Sequence, residues 1–102
     1  MLRLSDMYLK VHNAGLGRVI VAVCDTELIG KTFTEGDLQL TVSEKFYKGD
    51  DLEEDKVLVI MKTAPNVNIV GKKAIKLALK ARIIIEDNIL TVEGVPYANA
   101  SA

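Results

Sequence analysis

Apolar and polar positions alternate twice near the start of the chain. From Met7 to Asn13, Tyr8, Lys10 and His12 fall on one side and Leu9 and Val11 on the other, the period-two pattern of a half-buried strand. Ala14 to Gly17 carries two glycines and reads as a hairpin turn. Arg18 to Cys24 is a nearly unbroken β-branched run, which predicts a central strand buried on both faces. Asp25 to Gly30 reads as one helical turn, capped by Asp25 and ended by Gly30. Lys31 to Thr34 and Leu38 to Val42 read as extended pieces around a turn at residues 35–37.

The second half has helical periods. Ser43 to Lys48 predicts a single helical turn stopped by Gly49. Asp51 and Glu54 have capping-box-like spacing, and a helix is expected from about Leu52 to Thr63, ended by Pro65. Asn66 to Val70 is expected as a connector. A second helix is expected from about Val70 to Arg82, with Val70, Ala74, Leu77, Ala78 and Ala81 as its apolar stripe. Residues 86–88 read as a turn and Ile89 to Glu93 as a last strand. Gly94-Val95-Pro96 stops regular structure and leaves residues 97–102 as a loose tail. The expected fold is α+β: a single small domain spanning 1–102 with an ordered core over about 7–96. It has about five mostly antiparallel strands, with two main helices packed on one face.

Composition supports one folded unit. The chain has 102 residues, 49% of them apolar and 26% charged, which suits a globular domain with one core. No apolar run approaches the length of a membrane span, and no secretory signal is visible. The single cysteine, Cys24, cannot form an internal disulfide, so a reducing cytoplasm is the expected setting.

The net charge of −1 places no global demand for nucleic acid, but the charges are unevenly spread. Asp50, Asp51, Glu53, Glu54 and Asp55 form an acidic block that reads as a solvated helix start. From Lys62 to Arg82 every charged residue is basic. Lys72, Lys76 and Lys80 recur every fourth residue with Lys73 beside them, giving a cationic stripe opposite the apolar one. Such a stripe can neutralise phosphates, although an ordinary solvated helix face has the same composition. Without interleaved aromatics, nucleic acid would be held by backbone or shape.

The familiar site motifs fail. Gly30-Lys31-Thr32 resembles the end of a phosphate-binding loop, but position 25 is aspartate where that loop needs glycine. Gly15-Leu16-Gly17 begins like a dinucleotide fingerprint, yet its third glycine would fall on Ile20. One cysteine and one histidine cannot complete a structural zinc site without carboxylates, and the acidic block lacks calcium-loop spacing. No metal and no cofactor is expected. His12 and Cys24 fall at opposite ends of a hairpin, which argues against a nucleophile pair. A second candidate set is Asp25, Lys31, Asn66 and Asn68, which could meet around a small polar pocket at strand ends; Asn and Asp are equally common in turns.

Several segments together resemble a known family. They are Leu9-Lys10-Val11-His12, Val21-Ala22-Val23-Cys24-Asp25, Glu27-Leu28-Ile29-Gly30-Lys31-Thr32-Phe33, Val42-Ser43-Glu44-Lys45-Phe46-Tyr47, Asn68-Ile69-Val70-Gly71 and Gly94-Val95-Pro96. In order and spacing they resemble the small archaeal family catalogued as domain of unknown function 424, from about Tyr8 to Pro96. The resemblance implies a stand-alone cytoplasmic α+β protein and no established activity. It also implies histidine and glutamine after the Gly-Val-Pro segment, where this chain has Tyr97 and Asn99, so an acid–base role of that segment is not expected here.

The leading expectation is a non-catalytic module binding RNA or a ribonucleoprotein through Lys72, Lys73, Lys76 and Lys80, in translation or RNA processing. One alternative is a small-molecule enzyme built on Asp25, Lys31 or Cys24. Another is a protein-interaction adaptor using the acidic block and the basic helix. No membrane association and no motif for reading DNA sequence is expected.

Overall fold

The computed structural model describes residues 4–101. Two long strands open the fold: β1 (Met7–Asn13) and β2 (Val19–Asp25) pair antiparallel, with Met7 opposite Asp25 and His12 opposite Ile20. A 3-10 turn, Thr26–Leu28, leads into a separate hairpin of β3 (Thr32–Glu35) and β4 (Leu38–Thr41). The short helix α1 (Glu44–Tyr47) follows, capped by the Ser43 hydroxyl, which accepts from the Phe46 N–H at 3.2 Å. Next come β5 (Asp50–Asp51), α2 (Glu54–Thr63), β6 (Asn66–Val70) and α3 (Lys72–Lys80). A 3-10 turn at Glu86–Asn88 leads to β7 (Leu90–Val92) and β8 (Val95–Ser101).

The main sheet has six strands in the order β5-β1-β2-β6-β8-β7. All neighbours run antiparallel except β2 and β6, which are parallel, with Val21 opposite Val67 and Cys24 opposite Val70. With the hairpin this makes eight strands and not five. The α+β class holds, and the two longer helices lie on one face. There Val57 and Met61 of α2, with Ala74, Ile75, Leu77 and Ala78 of α3, pack on Met7, Leu9, Val21, Val23, Val67 and Ile69. The opposite face is covered only in part. Ala22, Cys24 and Val70 are sealed beneath Val42 and Tyr47, flanked by Phe33, Leu40 and Phe46.

The extra strands correct two readings. Residues 66–70 are no connector: they form β6 at the centre of the sheet, with Val67, Ile69 and Val70 buried. Residues 97–101 are no loose tail, because β8 threads between β6 and β7; residue 102 lies outside the described residues. A third correction concerns the acidic block. Asp50 and Asp51 pair with Leu9 and Tyr8 as an edge strand, where charge discourages further pairing. Asp51 accepts from the Ser5 N–H at 2.9 Å and the Ser5 hydroxyl at 3.1 Å and does not cap α2, whose N-cap is Glu53 without a side-chain bond.

Candidate functional site

The N-terminus of α3 is built in an unusual way. It begins Gly71-Lys72-Lys73, with no acid in its first turn and no capping side chain from its own N-cap residue. Two lysines beside a positive helix end are unfavourable. Asp25, at the end of β2, supplies what is missing. Its carboxylate accepts from the Lys73 N–H at 3.0 Å and the Ala74 N–H at 2.9 Å. Asp25 is only 3% exposed, and burial pushes its pKa up against the lowering effect of those two N–H bonds. Gly71 makes room for it. Its φ of 109° and ψ of 157° belong to a region essentially reserved for glycine, and its N–H donates to the Pro96 carbonyl at 2.8 Å. Asp25 therefore caps a helix 48 residues away and not the turn that follows it, which gets no side-chain bond from it.

Packing then divides the predicted lysine stripe. Ala74, Ile75, Leu77 and Ala78 face the core, which leaves Lys72, Lys73, Lys76 and Lys80 exposed. Lys73, Lys76 and Lys80 line one cleft of about 320 Å³ with Leu77, Met7, Ser5 and Glu54. Lys72 lines a different pocket of about 270 Å³, among Asp25, Glu27, Gly71, Glu93 and Pro96. The cleft is not purely cationic. Lys73 donates to Asp6 at 2.9 Å, and that bond leads the effects raising its pKa. Glu54, from the acidic block, shares the cleft wall. The acidic and basic segments therefore meet here, and part of the positive field is neutralised.

Of the second predicted set, only Asn66 and Asn68 come together, both accepting from Asn99 Nδ2. Asp25 lies under α3, on the helix-covered face. Lys31 is exposed at the base of the hairpin, its N–H bonded to the Leu28 carbonyl at 3.1 Å. Asn66 and Asn68 project on the other face of the sheet, in the row of Ala22 and Val70. Cys24 is fully buried on that same face, where burial, with the Asp25 charge beside it, pushes its thiol up to about 12. It stands opposite Tyr8, four residues from His12, whose Nε2 bonds the Phe46 carbonyl at 2.7 Å. Asp25 and Cys24 therefore lie on opposite faces of the sheet, and Asp25 is on the opposite face from Asn66 and Asn68. Among the described residues no group of three or more His, Cys, Asp or Glu is placed to hold a metal ion. No helix among them is long and apolar enough to cross a membrane.

The sequence reading gave Asn99 no place in the polar set. It lies on β8 opposite Asn68, and its Nδ2 donates to Asn68 Oδ1 at 2.7 Å and Asn66 Oδ1 at 3.2 Å. The available signal was polar alternation in residues 66–70 and again in 97–101.

Residues 12–101 match the family described as "Protein of unknown function (DUF424)". The chain belongs to that family. The chain is also similar to a solved crystal structure, that of an uncharacterized conserved protein from Methanopyrus kandleri. The two share 27% identity with a TM-score of 0.74, over 91% of this chain and 88% of that one. No curated protein is significantly similar to the chain.

Proposed function

We propose that this DUF424 protein is a non-catalytic binding module for RNA or a ribonucleoprotein, acting in translation or RNA processing. The observation that carries the reading is the cleft along α3, where Lys73, Lys76 and Lys80 converge on one wall. Three ammonium groups on a rigid helix are suited to phosphate oxygens, and no aromatic lines the cleft to stack a base. Contact is therefore to the backbone. Asp6 and Glu54 temper the field, which favours moderate affinity and a strong dependence on salt.

The test is a titration of the pure protein against labelled ribosomal and transfer RNA at several salt concentrations. Three phosphate contacts give a log–log salt slope of about −2 to −3. The triple variant Lys73→Gln, Lys76→Gln, Lys80→Gln should lose most of that slope. Absence of binding at low salt, or a slope unchanged in the variant, refutes the reading and directs attention to protein partners.

A further inference from the structure

The C-terminal ends of α2 and α3 frame a second cavity, separate from the lysine cleft. It is open, measures about 440 Å³ and lies on the helix face, over the pair where Val67 of β6 meets Ala100 of β8. Small-molecule sites span roughly 300–1,000 Å³, so its size suits one. Its apolar wall comes from Met61 and Val67, each 1% exposed, and from Ile83. Ala64, Ala81 and Ala100 complete the wall, and their short side chains leave the space unfilled. Among the described residues that line it none is aromatic, and Ser101 alone carries a hydroxyl.

Two cations stand at this cavity, Lys62 from the last turn of α2 and Arg82 just beyond α3, and no acid is among the described residues lining it. Both are exposed, and neither side chain has a hydrogen bond or ion pair among the described residues. Arg82 also holds its place at a cost. α3 closes with paired bonds, the Ile83 N–H to the Ala78 carbonyl at 3.0 Å and the Arg82 N–H to the Leu79 carbonyl at 3.0 Å. In that closure the residue after the C-cap adopts the left-handed conformation and is usually glycine. Here it is arginine, at φ 60°. The negative helix end does not require that cation, since Lys80 already lies in the last turn. A residue kept in a strained conformation beside a cavity points to a use for its side chain.

We infer that this cavity binds a small aliphatic carboxylate of the fatty-acid class. Lys62 and Arg82 take the carboxylate, whose two oxygens match the fork of a guanidinium. The aliphatic body lies against Met61, Val67 and Ile83. A nucleotide fits less well, because the cavity has no ring on which a base could stack. The site goes beyond the phosphate reading and does not depend on it, since Lys73, Lys76 and Lys80 line the other cleft.

The test is a titration of the ¹⁵N-labelled full chain with octanoate, acetate and octyltrimethylammonium, each followed by backbone amide shifts. Acetate carries the charge without the body, and octyltrimethylammonium carries the body with the opposite charge. Each buried methylene strengthens binding about fourfold, so burial of two makes octanoate at least about tenfold tighter than acetate. The octanoate shifts should centre on residues 62, 67, 81–83 and 100–101, and the quaternary ammonium should leave these unmoved. Arg82→Gln keeps the backbone cost and removes the charge, so octanoate should weaken about fivefold with the urea midpoint little changed. Arg82→Gly should weaken octanoate as much and raise the urea midpoint, a gain in stability joined to a loss of ligand. The Lys73→Gln, Lys76→Gln, Lys80→Gln variant should bind octanoate as the parent does, which separates failure of the cleft from failure of this site. Octanoate no tighter than acetate, equal binding of the quaternary ammonium, undiminished binding in Arg82→Gln, or a midpoint not raised in Arg82→Gly overturns the inference.

Discussion

Replacing Gly71 by alanine sets two costs on one methyl group. The first is backbone strain: at φ 109° and ψ 157° a side chain costs about 1–3 kcal/mol. The second is a collision. A Cβ at this position would stand 2.4 Å from Asp25 Cγ and 2.6 Å from each carboxylate oxygen. The Asp25 carboxylate must leave, and the Lys73 and Ala74 N–H groups lose their acceptor. A buried donor left unpaired costs about 1–3 kcal/mol, with Lys73 at the low end because its bond is only partly buried. The sum is about 3–7 kcal/mol, against a typical domain stability of about 5–15 kcal/mol. Urea unfolding followed by circular dichroism measures it. Gly30→Ala is the control, since Gly30 has φ +82° but nothing within 4 Å of its added Cβ, leaving about 1–2 kcal/mol of strain alone. Asp25→Ala should cost about 2–4 kcal/mol through the same two orphaned donors. The double variant should then cost at least about 1 kcal/mol less than the sum, because removing the carboxylate clears the space for the methyl. A Gly71→Ala cost no larger than that of Gly30→Ala, or strict additivity in the double variant, refutes the account of the cap.

Other consequences are open to measurement. Cys24 is fully buried with its thiol pushed up to about 12, so thiol reagents at neutral pH should label it only as fast as the protein opens; prompt labelling of the folded protein contradicts the packing. Burial also raises Tyr47 to about 12, so the unfolded chain loses protons that the folded one keeps, above about pH 9 at Cys24 and above about pH 10 at Tyr47. Stability is then full below about pH 9 and falls by about 1.4 kcal/mol per pH unit through Cys24 as pH rises, with a second such slope from Tyr47 added above about pH 10, until the folded values near 12 are reached. Cys24→Ala should flatten the urea midpoint between pH 9 and 10, and an unchanged slope would count against the shift. Ile69→Ala, at a fully buried position in β6, should cost about 2–5 kcal/mol in the same unfolding assay, whereas a residue in a connector would cost little.

The readable parts of this fold are those whose signals are local. β1 and β2 show apolar alternation and a β-branched run, and α1 has its Ser43 cap next to it. β6 and β8 are different. Pro65 and two asparagines weigh against a strand in the first, and Pro96, alanines and Asn99 weigh against one in the second. Each makes sense only beside the other, because Asn99 donates to Asn68 across the ladder. The lysines were visible from their spacing, but a linear pattern does not show that Lys72 lines a pocket with Glu27 and Glu93 while the other three share a cleft. Asp25 was read as a cap for the turn after it, since a chain pattern shows only neighbours. The hint of a distant partner was α3 itself, a helix opening on glycine and two lysines with no local acceptor.

The position of β8 bears on how the chain is made. It is the last strand in chain order, yet it lies inside the sheet, between β6 and β7. During synthesis β6 and β7 leave the ribosome before the strand that joins them. Until β8 inserts, each offers a bare edge able to recruit a strand from another nascent chain. A polypeptide interrupted after Gly94 would keep both edges and most of the apolar helix face, which makes it a natural substrate for chaperones and a seed for aggregation.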